Sequence, residues 1–168
     1  MNPAALHANL AEIPRGATII VNTDEFSKRN LSKAGYAENP LEDGSLESWQ
    51  VVPVALTSIT VEALADIEGL TRKEKERAKN MFALGLLSWL YTRPMDGTEA
   101  FLARKFAGTP ALLEANLAAL RAGFNYGETT EVFAHRYEVA PASMPKGTYR
   151  NITGNTAISL GLVAGAYK

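Results

Sequence analysis

Cysteine is absent from this chain of 168 residues. Without a thiol there is no disulfide, no thiolate zinc site, no cysteine nucleophile and no ordinary ligand set for an iron–sulfur cluster. Histidine is nearly as scarce. Only His7 and His135 occur, neither has a partner at metal-ligand spacing, and both read as surface or capping residues. No charge of one sign predominates: Lys and Arg number 17, Asp and Glu 18, and the net charge of -1 is spread along the sequence. That balance argues against nucleic acid or a membrane surface as partner. Apolar runs are short, the longest lying at 81–91 and 156–167, well below the roughly 20 residues that span a bilayer. The N-terminus lacks the basic-then-apolar order of a secretory signal, so the expected location is cytoplasmic. The sequons at Asn30 and Asn151 are then chance matches. Neither G-x-G-x-x-G nor G-x-x-x-x-G-K-[ST] is present, which removes the usual phosphate cradles.

What remains is an ordinary globular composition, 46% hydrophobic and 21% charged, with enough length for one domain and a real core. Asn2 and Pro3 suit the cap and first position of a short helix carrying Ala5, Leu6 and Leu10. Pro14-Arg15-Gly16 ends it. The β-branched run at 17–22 has the pattern of a strand buried on both faces. A polar stretch follows at 23–48, mostly loop, with one helical turn predicted over 26–33. A second strand is predicted over 49–56, at an edge or strand end because of Pro53.

Helices are expected to dominate thereafter. A short one is predicted over 60–66. Thr71-Arg72-Lys73-Glu74 is a capping box that opens the strongest helix, charged at first and apolar nearly all round from Met81 to Leu90. Asp96 is expected to cap another helix, with Glu99 three residues on, burying Phe101, Leu102 and Phe106. Thr109-Pro110 starts a further helix, expected to close at Gly123. A last short helix is predicted over 129–135, and the two prolines at 139–146 mark an extended linker. The sum is an α/β fold of two or three strands with a helix-rich C-terminal half.

Chemistry-bearing residues are few. Asn22-Thr23-Asp24-Glu25 follows a buried strand, the position at which open α/β sheets bind ligands. The carboxylates there could equally cap a helix. Thr153-Gly154-Asn155 precedes a helix and could offer N–H groups to an anion, or simply start that helix. Asn80 and Asn116 are polar residues on apolar helices, and bridging between elements is their ordinary role. No Ser/His/Asp or paired-carboxylate set can be assembled, so no catalytic residue and no metal site is assigned.

The last twenty residues read as the opening of a further domain. A polar turn leads into Ile158, Leu160, Leu162 and Val163, the composition of a helix meant for burial, with nothing after it to cover them. The expectation is that 148–168 projects from the body.

Several spaced blocks resemble one family. Asn2-Pro3-Ala4-Ala5-Leu6, the run Ile19-Ile20-Val21-Asn22-Thr23-Asp24-Glu25-Phe26, Asn80-Met81 with Leu84-Gly85, and Asn116 with Ala119 and Gly123 resemble the gamma domain of 2-oxoacid:ferredoxin oxidoreductases. Residues 39–44, 125–130 and 149–155 are similar to the 2-oxoglutarate type, in which the gamma domain is fused ahead of the alpha domain. The resemblance implies a partial Rossmann-like gamma-domain portion at 1–138, a linker at 139–147 and the start of a truncated alpha, pyrimidine-binding domain at 148–168. It implies oxidative decarboxylation of a 2-oxoacid to an acyl-coenzyme A, with thiamine diphosphate and an iron–sulfur cluster in the assembled complex, a beta subunit as partner and ferredoxin as electron acceptor. None of these cofactors is expected on this chain alone. The family's glycine-rich opening unit would precede Met1, and its Tyr-Pro-x-Thr-Pro block would follow Lys168. Asn22, Thr23 and Asp24, with Asn80 in support, are the expected coenzyme A contacts, and Gly154 and Asn155 the expected cofactor-side residues of the second domain. The alternative is a non-catalytic α/β module that scaffolds partner subunits.

Overall fold

A computed structural model describes residues 1–133, 135–140 and 142–167. Asn2 accepts the Ala5 N–H at 2.8 Å and so opens α1 (Pro3–Asn9), with Pro3 at the position where a missing N–H is harmless. A 3-10 turn and Gly16, at φ 81°, redirect the chain into β1 (Thr18–Asn22). A second 3-10 turn (Thr23–Glu25) and α2 (Lys28–Lys33), capped by Ser27, lead through an irregular stretch to β2 (Gln50–Val54). The strands are parallel, Thr18 facing Gln50 and Asn22 facing Val54. Parallel neighbours require a crossover, which α2 and the stretch after it supply.

Side-chain alternation divides the core. Ile19 and Val21 join Leu6 and Leu46 on one face, while Val52 and Val54 join Leu56, Leu64, Phe82 and Ala119 on the other, with Ile20 packed against them. Both faces are covered, which is why the strands read as unbroken β-branched runs. Because the Gln50 N–H donates to the Ala17 carbonyl, alternate N–H positions of β2 face β1, and position 53 faces outward. Proline removes nothing from the ladder there. On the opposite edge of β1, the Met1 carbonyl accepts the Asn22 N–H at 2.8 Å and the Met1 amine donates to the Ile20 carbonyl. β1 is therefore flanked on both sides.

The helical half comprises α3 (Leu56–Ala63), α4 (Arg72–Arg77), α5 (Lys79–Leu90), α6 (Asp96–Lys105), α7 (Pro110–Thr129) and α8 (Gly154–Ala166). The capping box at Thr71 and Glu74 forms in both directions. Four expectations are corrected. The helix predicted at 60–66 begins at Leu56, directly after β2. The single helix expected from Thr71 is two, because the Ala78 N–H bonds three residues back to Lys75 and this tightened turn interrupts the α-helical bonding between charged α4 and apolar α5. Asp96 is the first residue of α6 and not its cap, and Phe101 is 49% exposed, since only the stripe bearing Leu102 meets the body.

The fourth correction concerns Gly123, which does not end a helix. α7 runs through it for 20 residues, and the glycine serves close packing. A Cβ on Gly123 would lie far inside van der Waals contact with the Phe82 carbonyl, one on Gly85 would collide with the Leu120 carbonyl, and one on Gly127 would sit 2.6 Å from the Trp89 ring. Ala119, Gly123 and Gly127 thus form the stripe along which α7 lies against α5.

The helix predicted over 129–135 includes Ala134, and the linker at 139–147 includes Pro141; both residues, like Lys168, lie outside the described residues. Residues 130–133 form a turn. From 135 onward every described residue is exposed, and α8 buries none of its side chains, Leu162 being 72% exposed.

Candidate functional site

Parallel strands deliver their C-terminal ends to one side of a sheet, and the loops leaving them frame the usual ligand crevice. Here β1 ends in Asn22 and β2 runs into the N-terminus of α3. Asn22 is only 5% exposed, and its amide donates to the Thr57 hydroxyl at 3.0 Å. Its Oδ1 is buried without a hydrogen-bond partner among the described residues. Thr23, half-buried, starts the turn, and its carbonyl accepts the Phe26 N–H. Asp24 reaches across to α3: one oxygen accepts the Ser58 N–H and the other the Ser58 hydroxyl, each at 2.8 Å. The carboxylate thereby satisfies one of the free N–H groups of that helix and complements its dipole. Of the two roles open to this residue from sequence, the capping one is realised, on α3 and not on the helix that follows in the chain.

Glu25 turns the other way. It accepts from the Lys79 ammonium at 2.6 Å and from the Asn30 amide, tying the end of β1 to the start of α5. Between these groups lies a cleft of about 560 Å³, lined by Asp24, Glu25, Thr57, Ser58, Val61, Glu62, Arg72, Glu76 and Lys79. Four carboxylates face two cations, and both cations are already paired, Lys79 with Glu25 and Arg72 with Glu76 at 3.0 Å. The cleft is therefore an acceptor-rich surface suited to N–H donors more than to phosphate.

Of the strand-end residues Asp24 lines this cleft; Thr23 does not, and buried Asn22 meets it only through its bond to Thr57. Asn80 is exposed on α5 one residue past Lys79 and does not line it. Gly154 and Asn155 stand at the exposed start of α8, where the Thr153 hydroxyl accepts the Thr156 N–H at 3.2 Å, a plain helix cap. Nothing packs against Gly154. Sequence reading missed Ser58, Glu62, Arg72, Glu76 and Lys79. They are separated from Asp24 by 34 or more positions along the chain, and only the fold brings them near. Among the described residues no set of three or more His, Cys, Asp or Glu is arranged to hold a metal, and no helix is long and apolar enough to cross a membrane.

A two-strand parallel sheet with a strand-end cleft and a glycine-packed helical pair defines a partial Rossmann-like α/β unit. Residues 1–126 match the family described as pyruvate ferredoxin/flavodoxin oxidoreductase, and the chain belongs to that family. It is 55% identical over 163 residues to 2-oxoglutarate oxidoreductase subunit KorA of Mycobacterium tuberculosis, an alignment covering 97% of this chain and 25% of KorA. The chain thus spans about a quarter of the length of that curated relative. No solved structure matches it.

Proposed function

We propose that this chain is a segment of a 2-oxoglutarate:ferredoxin oxidoreductase subunit, serving oxidative decarboxylation of the 2-oxoacid to an acyl-coenzyme A. The observation that carries the reading is the identity to KorA along nearly the whole chain. In this reading residues 1–138 are a gamma-domain portion, 139–147 a linker and 148–168 the start of the alpha domain. The beta subunit and, through the complex, ferredoxin are the partners, and the cytoplasm is the location.

The residues present do not fit an iron–sulfur cluster, since the sequence contains no cysteine and thiolates are the usual ligands. Nor do Gly154 and Asn155, exposed on α8 with nothing packed over Gly154, form a site for thiamine diphosphate by themselves. No step is assigned to this chain through either group. Coenzyme A fits in part. Its phosphates meet no uncommitted cation in the cleft, whereas its amide-bearing arm offers N–H donors to the carboxylates that line it. Thr23 and Asp24 would then bind and orient that arm, Asn22 would hold the site from its buried position through Thr57, and Asn80 would be a more distant support.

The test is co-expression of the full subunit with its candidate beta partner, followed by dye reduction driven by 2-oxoglutarate and coenzyme A. Turnover dependent on both is expected. A complex that assembles yet oxidises no 2-oxoacid would overturn the reading in favour of a scaffold.

A further inference from the structure

Thr92 is the one non-glycine residue with positive φ among the described residues, at 50°. It ends α5 in a Schellman arrangement: its N–H donates to the Trp89 carbonyl at 3.1 Å, and the Arg93 N–H reaches back to Ser88 at 2.7 Å. Glycine is the usual residue at that position because a Cβ opposes the left-handed backbone. A β-branched residue there is a true outlier, and such strain persists only where surrounding contacts hold it.

Those contacts all lead to one short segment. The Thr92 hydroxyl donates to the Tyr137 carbonyl at 3.0 Å, and the Tyr137 N–H donates to the Leu90 carbonyl at 2.7 Å. Arg136 donates to the Trp89 carbonyl at 3.2 Å, with its guanidinium 5.0 Å from the Trp89 ring centroid. Tyr137 stacks on Tyr91 at 5.5 Å. The Leu90 carbonyl, which no intrahelical donor reaches, is thus satisfied by a strap 47 residues downstream that also adds a second donor at Trp89, and beyond it every described residue is exposed.

We infer that Thr92 is a latch: its hydroxyl, held in a backbone conformation that glycine would enter freely, pins Tyr137 across the end of α5, beside Arg136 on Trp89, and fixes where the C-terminal segment leaves the folded body. The inference concerns this chain's own geometry and stands whether or not the enzymatic reading does.

Three full-chain proteins test it: wild type, Thr92→Gly and Thr92→Ser. Glycine removes both the strain and the hydroxyl; serine keeps the hydroxyl. In Thr92→Gly the Tyr137 amide should exchange with solvent about fivefold to tenfold faster, the loss of one hydrogen bond, while the melting temperature stays equal to wild type or rises. Thr92→Ser should retain wild-type protection at Tyr137. Unchanged exchange at Tyr137 in Thr92→Gly would overturn the latch. So would a fall in melting temperature with exchange accelerated throughout α5 and α7, which would make Thr92 a support of the whole fold.

Discussion

Asp24 shows how one residue can satisfy two sequence readings unequally. Its two oxygens are committed to Ser58, so Asp24→Ala should lower stability by about 1 kcal/mol, the ordinary worth of a helix cap, or a few degrees of melting temperature for a chain of this size. Asp24→Asn keeps an acceptor for the Ser58 N–H and should lose less. Thermal unfolding of both variants checks this. The strand-end position of Asn22, Thr23 and Asp24 was legible because a β-branched run followed by polar residues is a local pattern. Ser58 and Lys79 were not, because nothing local in the sequence records which distant side chain closes on a carboxylate.

The capping box makes a second prediction at the same scale. Hydrogen bonds from Thr71 hold the Glu74 carboxyl below its ordinary value of 4.5. A carboxyl with a depressed folded-state pKa adds stability that is fully present above its unfolded value and is lost as pH falls through the folded one. Glu74→Gln should therefore be less stable than wild type at neutral pH, and the difference should shrink as the solution is acidified below about pH 4.5. Denaturant titrations at several pH values would show it. A difference that does not vary with pH would mean that Glu74 acts without its charge.

Among the elements, the α5–α7 pair carries the helical half, and it does so through absent side chains. Gly123→Ala must push a Cβ into the Phe82 carbonyl, and backbone cannot move aside as a flexible side chain can. The expected loss is about 1–3 kcal/mol or more. Gly97→Ala, with nothing within 4 Å, should instead be neutral or gain up to about 1 kcal/mol. Chemical denaturation of the two variants makes the comparison. Sequence reading took Gly123 for a helix end because glycine so often is one. Its service inside a helix becomes visible only when the partner helix is in place. The break at Ala78 was hidden for a related reason: alanine is the best helix former, and nothing local in the sequence marks the tightened bond from its N–H to Lys75. By contrast the capping box, the Asn2-Pro3 start and the outward Pro53 were legible, since each rests on a neighbour within a few residues or on a backbone group the residue itself lacks.

For the whole molecule, the parallel sheet between two apolar clusters accounts for the N-terminal part and the glycine-packed helices for the remainder up to residue 133. The strap at 136–137 closes that body. Past it lie the exposed residues and α8, whose Ile158, Leu160, Leu162 and Val163 are all more than half exposed. A contiguous apolar surface of that kind promotes association, and Gly161 and Gly165 each weaken the helix by roughly 1 kcal/mol relative to alanine. Ending the chain after Lys146 should therefore reduce aggregation, read by light scattering, with the melting temperature nearly unchanged. A large drop would show that α8 supports the core.

We propose that Thr23 and Asp24 contact coenzyme A in the assembled 2-oxoacid oxidoreductase, and this is open to direct test. The measurement is the apparent KM for coenzyme A in the assembled complex carrying Thr23→Ala with Asp24→Asn, the pair chosen to alter the turn after β1 while retaining an acceptor for Ser58. A raised KM for coenzyme A is expected, with an unchanged KM for 2-oxoglutarate and an intact complex; an unchanged KM for coenzyme A would refute the contact and leave Asp24 as a helix cap alone.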